Sequence, residues 1–137
     1  MSYAKLIIVG NLGRDPEMRY TSGGDAVTNL NVAVTRKWTS KDGVPGEETT
    51  WYRATCWRRT AEIAAQYLHK GSQVMLEGRL NPDANGGPRL YEKSDGTSGA
   101  SFELTVERLV LLSSRSDNSF GDVPADPGED VAPDEFA

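Results

Sequence analysis

The chain of 137 residues has one cysteine, one histidine and no uncharged apolar stretch approaching the ~20 residues that a membrane-spanning helix needs. Each scarcity excludes something. Cys56 alone cannot close an intrachain disulfide, as suits a reducing compartment. Cys56 and His69 together are too few to build a zinc or other soft-metal centre, so no metal and no cofactor is expected. Glycine-rich phosphate loops are missing too: Gly10-Asn11-Leu12-Gly13 has two glycines and no helix after it. Carboxylates are numerous, but none stands in a catalytic motif, and the chain does not read as an enzyme. Residues 1–5 run into only Leu6 to Val9 before Gly10, which is not the pattern of a secretory signal. A cytoplasmic protein is the expectation.

A surplus of positive charge is also lacking, since the net charge is −5. Its distribution matters more than its sum. Residues 1–112 carry 14 basic and 13 acidic side chains, whereas residues 113–137 carry Arg115 alone against seven carboxylates. The acidity belongs to the C-terminal stretch, which is rich in Ser, Asp, Gly and Pro and too poor in apolar residues to bury a core. Two parts are therefore expected: a folded domain over residues 1–112 and a disordered acidic tail over 113–137.

Period-two patterning and turn residues predict five strands within the domain. They cover residues 4–12 (AKLIIVGNL), 26–38 (AVTNLNVAVTRKW), 49–59 (TTWYRATCWRR), 73–80 and 102–112. A hairpin loop over residues 39–48, with Asp42-Gly43 and Pro45-Gly46 as turn signals, joins the second to the third. Ala61, Ala64, Ala65 and Leu68 then stand at helical spacing, with Thr60 placed to cap the start and Gly71 to end the helix. A loop over residues 81–100 holds a possible extended piece at 89–92. Five strands with one helix between the third and fourth is the order of an OB-fold, an all-β, five-stranded Greek-key barrel that binds oligonucleotides or oligosaccharides. An SH3-like barrel is the rival, and it has no natural place for a helix of nearly three turns.

The third strand carries the chemistry. Its odd positions are Trp51, Arg53, Thr55, Trp57 and Arg59, and its even positions Tyr52, Ala54, Cys56 and Arg58. The even parity reads as core. Burying the odd one would desolvate guanidinium groups beside two indoles, so that face is expected to meet a ligand. Trp38, across the hairpin, could share the surface, although its pattern fits a core residue equally well. Aromatic faces stack on bases at about 1–3 kcal/mol each, and Arg36, Lys37, Arg53, Arg58, Arg59 and Arg79 are near enough to meet phosphates. Tyr91 is a fourth candidate platform, with local packing as its alternative. Such a surface binds single strands with little regard for sequence, because stacking and charge do not read base edges.

Three stretches give the chain a resemblance: Ile8-Val9-Gly10-Asn11-Leu12-Gly13-Arg14-Asp15-Pro16-Glu17 with Arg19-Tyr20, then Trp51-Tyr52-Arg53, then Tyr67-Leu68-His69-Lys70-Gly71-Ser72-Gln73-Val74 with Glu77-Gly78. In order and spacing they resemble the bacterial and mitochondrial-type single-stranded DNA-binding proteins over nearly all of residues 3–112. The resemblance implies an OB-fold, a homotetramer, no cofactor, and the wrapping of single-stranded DNA in replication, recombination and repair at the nucleoid. By the same resemblance Trp38, Trp51 and Trp57 fall where base-stacking aromatics lie, and Tyr91 near a fourth such position. The family's tail ends in acidic residues followed by Ile-Pro-Phe, which docks replication and repair proteins. Here Asp134, Glu135 and Phe136 are the counterpart, with Ala137 after them. A primosome-type dimer and an oligosaccharide-binding module are the alternatives that the residues leave open.

Overall fold

A computed structural model of the chain describes residues 1–112; the expected acidic tail and the candidate docking residues Asp134, Glu135 and Phe136 lie outside the described residues. The elements, in order, are β1 (Leu6–Leu12), β2 (Glu17–Tyr20), β3 (Ala26–Thr39), β4 (Pro45–Trp57), α1 (Arg58–Tyr67), β5 (Gln73–Leu80), β6 (Arg89–Glu92) and β7 (Ser98–Leu111). Neighbouring strands run in the order β1-β5-β7-β4-β3, and β1 returns to pair with β3 through Asn11↔Ala33 and Leu12↔Val32. That return closes a five-stranded barrel in which only β4 and β7 are parallel. The protein has an OB-fold.

Inside the barrel the buried residues Ile8, Leu12, Leu30, Val32, Ala54, Cys56, Val74, Leu76, Leu104 and Val106 form one cluster, covered at one end by Ala61, Ala64 and Leu68 of α1 and its exit. Thr28 fastens the helix to the sheet by donating its hydroxyl to the Ala61 carbonyl at 2.7 Å. Burial drives the thiol of Cys56 up to about 12, so it stays protonated and inert.

Two of the stretches that carry the resemblance meet in space. Asn11 donates its side-chain amide to the Gly71 carbonyl at 3.1 Å, Gly71 donates its N–H to the Leu12 carbonyl, and Asp15 accepts the Lys70 N–H at 2.8 Å. These motifs stitch the end of β1 to the exit of α1, with Gly71 in the left-handed region at φ +91°.

Several boundaries differ from expectation. The ladder between β3 and β4 runs from Val27↔Trp57 to Thr39↔Pro45, so the loop shrinks to residues 40–44 and residues 45–48 are strand. Asp42-Gly43 alone suffices for the turn, with Gly43 at φ +78° and its N–H on the Ser40 carbonyl. Thr60 does not cap the helix. Trp57 occupies the cap position, without a side-chain bond, and Arg58 makes the reversal at φ 55°. Two short strands join the expected five: β2, unforeseen and mostly exposed, pairs with β3, and β6, matching the extended piece at 89–92, pairs with β7.

Candidate nucleic-acid interface

Register assigns every side chain of the β3–β4 hairpin to a face. Residues directly opposed in an antiparallel ladder point the same way. Ala33↔Trp51, Asn31↔Arg53, Asn29↔Thr55 and Val27↔Trp57 therefore share the outer, odd-numbered face. The parallel pairs Arg53↔Glu103 and Thr55↔Thr105 extend that face onto β7. Arg79↔Thr105 carries it to β5, and Arg89↔Ser101 and Tyr91↔Gly99 carry it to β6. One continuous surface thus bears Trp51, Trp57 and Tyr91 as aromatics, with Lys37, Arg53 and Arg79 as cations.

Trp38 is not on it. Its partner in register is Gly46, and it stands on the even parity with Arg36, so the three indoles do not share one sheet face. The hairpin outruns the barrel beyond Val34, and the even side of β3 has no core above it there. Trp38 is left 42 % exposed at the tip, with the Arg36 guanidinium 4.7 Å from its ring centroid. Trp38, Lys37, Pro45 and Glu47 line an open depression of about 480 Å³.

Arg53 departs further from expectation. Far from being open to a ligand, it is 7 % exposed, with Nη1 3.8 Å from Glu103 Oε2 and its guanidinium 4.6 Å from the centre of the Tyr91 ring. Glu103, itself 8 % exposed, also accepts the Ser101 hydroxyl at 2.8 Å and lies 3.9 Å from Arg89 Nε. Arg53 is thus a buried cation neutralised by Glu103 and roofed by Tyr91, and it positions the surface from beneath. Glu103, Arg89 and Ser101 were not singled out from sequence, because only the parallel β4–β7 register puts them beside Arg53.

Three of the exposed cations lie against carboxylates within ion-pair distance: Arg36 to Glu48 at 3.7 Å, Arg58 to Asp25 at 3.5 Å and Arg59 to Glu62 at 3.6 Å. Pairs so exposed contribute about 0–1 kcal/mol, so a phosphate can replace the carboxylate at little cost. Between Trp57 and Tyr91 the surface is polar: Thr55 donates to Asn29 Oδ1 at 3.5 Å, and the Asn81 amide donates to the Thr105 hydroxyl at 2.8 Å. Trp57, 38 % exposed, leads directly into Arg58.

The left-handed Arg58 carries a Cβ clash of about 1–2 kcal/mol that glycine avoids, offset in part by glycine's larger loss of backbone freedom on folding. Arg58→Gly is expected to raise the melting temperature by a few degrees while removing one cation from the edge of this face. Calorimetry that found the variant less stable would contradict that account of the turn.

A flat, half-exposed aromatic surface on an OB barrel, bordered by exchangeable ion pairs, is suited to stacking on unpaired bases. Comparison with known proteins agrees with the geometry: the model described as the single-strand binding protein family matches residues 3–112. The chain belongs to the single-strand binding protein family. It is similar to the single-stranded DNA-binding proteins of Neisseria meningitidis serogroup A / serotype 4A and of serogroup B, each 40 % identical over 121 residues, which is 88 % of this chain. The chain spans 66 % of the length of those relatives, just under two thirds. Among the described residues of this family member no group of His, Cys, Asp and Glu could hold a metal ion, and no helix is long and apolar enough to cross a membrane.

Proposed function

We propose that this protein binds and protects single-stranded DNA, without regard for sequence, in replication, recombination and repair at the bacterial nucleoid. It acts as a binding protein and not as an enzyme, and it needs no cofactor. The observation that carries the reading is the single outer face of β3, β4, β6 and β7, on which Trp51, Trp57 and Tyr91 present rings while the apolar cluster lies on the other side of the sheet. Bases stack on these rings and on Trp38 at the hairpin tip. Phosphates displace Glu48, Asp25 and Glu62 from Arg36, Arg58 and Arg59, and meet Lys37 and Arg79. Arg53 holds Tyr91 in place and does not touch the phosphate chain. A duplex, whose base faces are hidden, gains only the charge contacts.

Titration with oligothymidine across a salt series tests this. Deep quenching of tryptophan fluorescence, weakening as salt rises and absent with a duplex of equal length, is the expected result. Undiminished fluorescence at low salt would overturn the stacking role.

The protein works as a homotetramer in this reading. Ile7 and Val9, 56 % and 46 % exposed on β1, support self-association, because their register partners Glu77 and Met75 continue an outer face that is apolar at Val9 and Met75. Subunit mass by light scattering at micromolar concentration distinguishes a tetramer from a primosome-type dimer. Asp134, Glu135 and Phe136 dock replication and repair proteins, and deleting residues 134–137 should abolish that docking while oligothymidine binding persists.

A further inference from the structure

Two aromatic side chains on separate hairpins lie over glycine in the same way. Trp38 is in direct register with Gly46 across β3 and β4, and Tyr91 with Gly99 across β6 and β7. A Cβ at Gly46 would overlap the indole at Nε1, Cε2 and Cζ2, and a Cβ at Gly99 would come within 2.7 Å of Tyr91 Cζ. Each ring therefore occupies the space directly above its glycine. Each is also met by an arginine, Arg36 at 4.7 Å from the Trp38 centroid and Arg53 at 4.6 Å from that of Tyr91.

Backbone conformation does not explain these glycines. Gly43 and Gly96, in the neighbouring turns, have φ of +78° and +87°, whereas Gly46 and Gly99 are not among the glycines of positive φ. Any L-residue could adopt their backbone. What a side chain would meet first is the indole at Gly46 and the outer end of the Tyr91 ring at Gly99, where Lys93 Cε also lies within 3.0 Å.

We propose that Gly46 and Gly99 are positioning residues for single-strand binding. Each provides a floor without a side chain, on which an aromatic lies close against the ladder within reach of an arginine and of a base. A Cβ lifts the ring, separates it from its guanidinium and spoils the platform, with no change in the charge of the surface. The inference rests on the stacking role proposed above.

The test uses the full chain with Trp51→Phe and Trp57→Phe, which leaves Trp38 as the sole indole and keeps two stackable rings. Oligothymidine should quench this reporter chain. Adding Gly46→Ala should remove at least half of the quenching at saturation and weaken binding about tenfold, with the slope of affinity against salt unchanged, since no phosphate contact is altered. Equal quenching and affinity with and without Gly46→Ala would overturn the positioning role while leaving the stacking role intact. A reporter that is not quenched even with Gly46 in place would overturn both roles for Trp38. Gly99→Ala, in the otherwise unaltered chain, should also weaken oligothymidine binding several-fold at an unchanged salt slope. Unchanged affinity there, in a chain that melts as the parent does, would overturn the role for Tyr91.

Discussion

Replacing Trp51 and Trp57 together by alanine should weaken oligothymidine binding about a thousandfold. Each stacked base contributes roughly 1–3 kcal/mol, and tenfold in affinity corresponds to about 1.4 kcal/mol, so two lost platforms give a range centred near that value. Both tryptophans stand on the outer face of β4, opposite Ala33 and Val27, and neither belongs to the central apolar cluster, so the barrel should survive the change. The salt dependence should keep its slope, because alanine removes no cation. The Trp51→Phe and Trp57→Phe pair retains the π surfaces and should stay within about tenfold of the parent. A fall in affinity matched by a shallower salt slope would mean that the tryptophans hold the arginines in place and do not stack.

Glu103→Gln should lower stability by about 3–5 kcal/mol, although it changes one carboxylate to an amide of the same shape. The pair with Arg53 is buried at both ends, and removing one charge leaves the other stranded away from water, which is the costly way to break a buried pair. For a domain of this size that loss should reduce the melting temperature by more than 10 °C. Glu48→Gln and Glu62→Gln, whose pairs with Arg36 and Arg59 are exposed, should each cost less than about 1 kcal/mol. The double change Arg53→Met with Glu103→Leu should regain most of the stability, because neither charge is then left alone. It would still lack the guanidinium beneath Tyr91. If Glu103→Gln melts with the parent, then Arg53 is reached by water and the structural role given to it here is wrong.

The barrel was legible because its signals are local. Period-two alternation in residues 26–38 and 49–57, the alanines of the helix and Asp42-Gly43 each report on neighbours within a few residues. The odd parity of Trp51 and Trp57 was readable for the same reason. What escaped depends on pairing. Whether Trp38 shares a face with Trp51 is decided by the length of the turn, and a five-residue loop at 40–44 places even positions opposite even ones. The burial of Arg53 depends on Glu103, fifty positions away along the chain and adjacent only through the parallel β4–β7 ladder. The alternation of β2, Glu-Met-Arg-Tyr, is only four residues long and its Met18 and Tyr20 stay exposed, so its strand conformation comes from the edge of β3 that it pairs with. The cap at Thr60 failed because the turn is made by Trp57 and a left-handed Arg58, a conformation for which the arginine side chain gives no signal.

The connectivity of the barrel also orders the assembly of its outer face in time. The β3–β4 hairpin joins residues that are close in the chain through a short turn, so its thirteen register pairs can form early and cheaply, bringing Trp51 and Trp57 onto one side at once. The β4–β7 ladder joins residues 50 positions apart and the β1–β5 ladder residues 62 to 72 apart, and they pay their loop-closure entropy late. Arg53 has no counter-charge from Glu103, and Tyr91 no guanidinium beneath it, until that closure is complete. In a refolding experiment the indoles should report early, whereas the ability to hold oligothymidine at full strength should return only in the last phase.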